Sequence, residues 1–181
     1  KSDEILKLFT APNLKYSIFL MEKANISPKI FDAYDYESLS NLKKFEDRFE
    51  ISPCATRRLA AYTEDDLKSN LRFSNKLVKA HKVLREEAKR QKDAAELSYR
   101  YNEKIALDSI LVRSSLNGTE PSENVFSRIK LGSVSKFPVK SSDLTEYFSG
   151  PKLGEMLAYL EQKWIESDFT LNKEKLLVSI R

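Results

Sequence analysis

The sequence predicts an all-α fold, with a multi-helix body over residues 1–132 and a small three-helix tail over residues 133–181. Three observations predict it. The 181 residues include only 4 glycines and 6 prolines, whereas sheet proteins use glycine for the positive-φ turns and bulges between strands. The composition is 41% apolar and 32% charged, the balance of amphipathic helices rather than of a disordered chain. Apolar residues also recur at three- and four-residue spacing between residues suited to starting helices.

Ser2 precedes a first helix whose stripe is Ile5, Leu6, Leu8 and Phe9, and Ala11-Pro12 breaks it. Asn13 is placed to cap a second helix, with Leu14, Ile18, Phe19 and Met21 facing inward. Ser27-Pro28 and Ser52-Pro53 each put proline at a helix start, where its missing N–H is not needed. Between them, 36–49 repeats apolar residues at Leu39, Leu42, Phe45 and Phe49. Thr63 with Asp66 resembles a capping box.

Ser74 opens a helix over 75–91 in which Leu77, Leu84 and Ala88 share one side, flanked by Ala80 and Val83. Residues 94–116 form the next apolar run, through Leu97, Tyr101, Ile105, Leu107, Ile110 and Leu111, and Asn117-Gly118 ends it as a left-handed stop. Glu120-Pro121 starts a short helix through Ile129, closed by Gly132. Residues 133–141 are expected to be a linker. The tail helices are lined by Leu144, Tyr147 and Phe148, then by Leu153, Met156, Leu157, Leu160 and Trp164, and last by Leu176, Leu177 and Ile180.

Counting excludes many kinds of chemistry. One histidine, His81, and one cysteine, Cys54, make neither a zinc site nor a disulfide. His81 is expected on a charged surface and Cys54 as a small core residue. The glycines at 118, 132, 150 and 154 fit no phosphate-binding loop. Asp32 with Asp35, Glu46 with Asp47, and Asp65 with Asp66 are carboxylate pairs able to hold magnesium, but they lie where acids are ordinary on helices. Hence neither a catalytic centre nor a metal is expected in this chain. No apolar run nears the roughly 20 residues of a membrane span and no leader pattern opens the chain, so a soluble, cytoplasmic protein is expected. Because the first residue is Lys1 rather than Met, a preceding segment is expected too.

Charge is unevenly spread. The chain is +4 overall, yet residues 71–130 alone carry 13 basic and 8 acidic side chains. Lys79, Lys82, Arg85, Lys89, Arg90 and Lys92 spread along and beyond the polar side of the 75–91 helix. Such a face either keeps a helix solvated or attracts a polyanion, by neutralising phosphates and releasing counterions. Tyr99 and Tyr101 lie close enough in sequence to offer stacking surfaces, although Tyr101 also fits a core position. A second candidate is the turn Gly150-Pro151-Lys152-Leu153-Gly154, where free N–H groups at a helix start, with the charge of Lys152, suit a phosphate oxygen. Gly150 permits the turn and Gly154 a close approach; the same turn also serves as a plain helix–helix joint.

These residues carry a family resemblance. Phe137-Pro138, Ser142-Asp143-Leu144, Gly150-Pro151-Lys152-Leu153-Gly154, Leu157, Leu160, Trp164 and Lys173-Glu174-Lys175-Leu176-Leu177 resemble the tail of bacterial class II tRNA nucleotidyltransferases, the CCA-adding enzymes and their poly(A) polymerase relatives. Glu4 to Phe9, Met21-Glu22, Arg57-Arg58-Leu59-Ala60-Ala61 and Leu71-Arg72-Phe73-Ser74-Asn75 follow the order of that family's body. Ser142 departs from the family's usual Gly or Ala, and the extra glycine usual before Ser149 is lacking.

The resemblance implies the end of the neck plus the body over 1–132 and the tail over 133–181, without the N-terminal catalytic head. It implies that tRNA or another RNA 3′ end is gripped here while the head adds nucleotides with magnesium and nucleoside triphosphates. The other reading of the same residues is a helical scaffold whose basic face binds an acidic protein.

Overall fold

Helix starts follow the short polar residues that can accept a backbone N–H. The computed structural model describes the backbone of residues 2–180, and their side chains apart from those of Ser69 and Asn70. In order the helices are α1 (Ser2–Thr10), α2 (Leu14–Lys23), α3 (Tyr36–Arg48), α4 (Ala55–Tyr62), α5 (Leu67–Leu71), α6 (Asn75–Lys89), α7 (Ala94–Arg100), α8 (Glu103–Asn117), α9 (Val125–Val134), α10 (Gly150–Glu166) and α11 (Lys173–Val178). Single 3-10 turns lie at Ser27–Lys29 and Ser141–Asp143, and no strand occurs among the described residues. Asp35, Ser74, Asp93, Asn102 and Asn172 each accept from the backbone of the first turn they precede. The fold is all-α.

The body is organised around α4, whose Leu59, Ala60, Ala61 and Tyr62 have no exposed surface. Phe9, Phe31 and Tyr62 meet edge to face on one side of it. Leu84, Ala88 and Val112 cover Ala60, while Leu42, Phe45 and Leu111 cover Ala61. Two arginines are buried in the same helix. Arg57 donates to Glu46 from Nε and Nη2 and to Asp108 from Nη1, while Arg58 donates to the other oxygen of Glu46 and to the carbonyls of Phe9 and Ala11. This network ties α1, α3, α4 and α8 together, and its charges are compensated.

The tail core is Val139, Leu144, Leu160, Trp164, Ile165 and Leu176. It docks on the body through Tyr99, which meets Trp164 edge-on at 5.4 Å and donates to Glu161. Arg128 of α9 bridges Asp93 and Asp168 across the same junction.

Several expectations are corrected. Asn13 precedes α2 without capping it, and Phe19 points outward, 40% exposed. Pro53 lies ahead of α4, which begins two residues later, at Ala55. Thr63 ends α4 and donates to Ala33, while Asp66 caps α5. The run 94–116 is two helices, because Asn102 caps α8 and interrupts the apolar repeat. Gly132 does not stop a helix. It lies inside α9 against α7, where a Cβ would come 2.0 Å from the Ala95 carbonyl oxygen. Residues 133 and 134 therefore belong to α9 rather than to a linker. The first tail helix is only a 3-10 turn, followed by bonded turns that bury Leu144.

Candidate nucleic-acid interface

The C-terminal half of α6 is not the free basic face expected of it. Arg85 donates to the Ala60 carbonyl at 3.0 Å and to Glu64 at 2.8 Å. Lys89 reaches the same Glu64 oxygen at 3.4 Å, and the two cations hold that carboxyl below its ordinary range. Glu64, Asp65, Asp66 and Glu86 line one cleft of about 430 Å³ together with Lys82, Arg85 and Lys89. The connection from α4 to α5 thus lays acids across the face. Arg90 and Lys92 both pair with Glu87. Burial raises the Glu87 carboxyl, yet hydrogen bonds from Tyr101 and Lys92 more than offset this and it stays ionised. His81 is buried rather than on the surface, with Nε2 3.0 Å from the Thr63 carbonyl oxygen, and burial lowers its pKa.

Positive charge is free one step earlier. Arg72, Lys76 and Lys79 are exposed and have no acidic partner among the described residues. Lys82 pairs with Glu86 at 3.8 Å, its side chain 76% exposed, and Lys89 with Glu64 at 3.4 Å, its side chain 67% exposed; such exposed pairs contribute little and yield to salt. Lys76, Lys79 and Lys82 fall at three-residue steps and form one strip along α6.

The second expected element is placed openly. Gly150 takes φ +57 at the first position of α10, a conformation that suits glycine, and Ser149 makes no side-chain cap bond. Lys152 is exposed, and nothing within 4 Å meets a Cβ built on Gly150 or Gly154. The close approach expected of Gly154 is therefore not made by this chain itself. The stacking surfaces differ from those expected. Tyr99 is consumed in tail docking, whereas Tyr101 is no core residue: it is 40% exposed, and only its hydroxyl is tied, to Glu87.

No protein-family model and no curated protein matches the chain.

The carboxylate pairs have structural partners. Asp65 accepts from the backbone of Asp32 and Ala33, Asp35 caps α3, Asp47 pairs with Lys43, and Glu46 belongs to the buried arginine network. Among the described residues no three His, Cys, Asp or Glu side chains gather as a metal site would require. No helix among them is long and apolar enough to cross a membrane. Cys54 is half-buried rather than a core residue, its Sγ 3.5 Å from Lys104 Nζ.

Sequence reasoning missed Arg72 and Lys76, which stand just before and inside the first turn of α6. A signal for them existed: α6 has no acid in its first turn, where acids are normally favoured. It also missed Arg113, which donates to the carbonyls of Glu87, Arg90 and Lys92 and so secures the end of α6.

Proposed function

We propose that this chain is the RNA-holding part of a tRNA nucleotidyltransferase or poly(A) polymerase, positioning a tRNA or other RNA 3′ end for an N-terminal catalytic head. The observation that carries the proposal is the exposed strip Lys76, Lys79 and Lys82, with Arg72 beside it, at the start of α6. Helices α2, α6 and α10 each carry a lysine in the first turn, Lys15, Lys76 or Lys152, and no acid there. A cation there opposes the helix dipole at a cost of about 0.3–1 kcal/mol. The arrangement becomes favourable when a polyanion binds, because the lysine and the free N–H groups then act on the same phosphates. The resemblance of the Gly150 to Gly154 turn and of the Arg57-Arg58 run to the family's tail and body supports the same reading.

In this proposal the chain contributes grip and register, in a cytoplasmic setting. Magnesium and nucleoside triphosphates belong to the head, and no residue here is assigned to them. Filter binding of labelled tRNA at low salt, with polyglutamate as competitor, tests it. Retained tRNA that polyglutamate displaces only weakly is the expected result. No retained tRNA, or complete displacement by polyglutamate, would favour an acidic protein partner instead.

A further inference from the structure

The side of α2 that faces away from the core is aromatic and basic. Leu14 and Ile18 are buried, and on the opposite side stand Tyr16, 65% exposed, Phe19, 40% exposed, the aliphatic Leu20, 44% exposed, and Lys23. These rings border a groove of about 460 Å³ that runs from Pro12 and Asn13 to Tyr36 and Lys43 of α3. Lys23 Nζ lies 4.9 Å from the centre of the Phe19 ring, and Lys15 is exposed beside Tyr16. The acid at the rim, Asp47, is already neutralised by Lys43. The Asn13 amide makes no capping bond.

We propose that this groove is a stacking site for unpaired RNA bases, with Tyr16 and Phe19 as the platforms. Lys15 and Lys23 stand where the flanking phosphates pass, and Asn13 offers an amide to a base edge. Exposed rings interleaved with lysines are the means by which single-stranded nucleic acid is held, because every base has a π face and every link a charge. A protein-docking face differs, since the centres of such interfaces are depleted in lysine. The inference rests on the RNA-holding reading and adds to it the recognition of single-stranded RNA.

The test measures fluorescence anisotropy of two labelled RNAs, a short oligoadenylate and a blunt duplex, on the full chain. Tyr16→Ala with Phe19→Ala should weaken oligoadenylate binding on the order of tenfold or more and leave duplex binding nearly unchanged. Tyr16→Phe with Phe19→Tyr should restore wild-type affinity. Both rings are exposed, so helicity by circular dichroism should not change. If the alanine variant binds both RNAs like the wild type, the stacking site is wrong while the RNA-holding reading stands. If that variant instead loses self-association in sedimentation, the face is a protein interface and the stacking site is equally wrong. Wild type that binds neither RNA overturns both readings.

Discussion

Replacing Glu46 by Gln should cost more than any change on the helix surfaces. Glu46 is 2% exposed and accepts from Arg57 at 2.6 and 3.0 Å and from Arg58 at 2.7 and 2.8 Å. Glutamine keeps the shape and removes the charge. The amide oxygen can accept from only one of the two arginines and the NH2 group faces the other as a second donor, so Arg57 and Arg58 are left with Asp108 as their one carboxylate, beside the carbonyls of Phe9 and Ala11. Removing one partner of a buried ion pair costs about 3–5 kcal/mol. In a domain of this size each kcal/mol is worth about 2–4 °C, so Tm should fall by roughly 6–20 °C. Urea and thermal unfolding followed by circular dichroism measure it, with Asp47→Asn as the exposed control, expected within about 0.5 kcal/mol of wild type. A Glu46→Gln variant no less stable than Asp47→Asn would show that the network does not brace the fold.

Gly132→Ala should lower stability by at least about 1–3 kcal/mol, because its Cβ would fall 2.0 Å from the Ala95 carbonyl oxygen and push α7 from α9; a shifted urea midpoint reads this out. Acid should weaken the fold through His81, whose pKa burial sets below 6.5 in the folded chain. Below about pH 6.5 the unfolded chain takes the proton first, so stability is lost as pH falls through the folded value. Glu22, raised by burial, acts with the opposite sign. The comparison is therefore with His81→Gln, whose urea midpoint should fall less than wild type's between pH 7.5 and 5.5 (about one unit either side of the reference value).

The all-helical class was legible because it depends on local spacing and caps: Ser74 and Gly118 start and end their helices as the sequence indicates. The splitting of 94–117 was harder to see, because apolar spacing runs through Asn102 and only its cap bond to Ile105 reveals the break. Gly132 shows the same ambiguity, since a stop and a close helix contact both ask for glycine. Charge was least legible. Glu46 looked like a surface acid because Arg57 and Arg58, 11 and 12 residues away, come from another helix. Nothing in the sequence pairs Arg85 and Lys89 with Glu64, 21 and 25 residues earlier, which only the fold brings to them. Spacing alone is ambiguous for α2: Phe19 lies between the inward stripe of Leu14 and Ile18 and the outward side of Tyr16 and Lys23, and the structure exposes it.

The most direct measurement is the slope of log K against log salt for tRNA binding, in wild type and in the variant Lys76→Ala, Lys79→Ala, Lys82→Ala. Each lost phosphate contact should flatten the slope by about 0.7–0.9, hence by roughly 2–3 for all three. Over a fourfold rise in salt the variant should then lose roughly 20- to 40-fold less affinity than wild type does. Equal slopes and equal affinities for the two proteins would contradict the claim that this strip holds RNA.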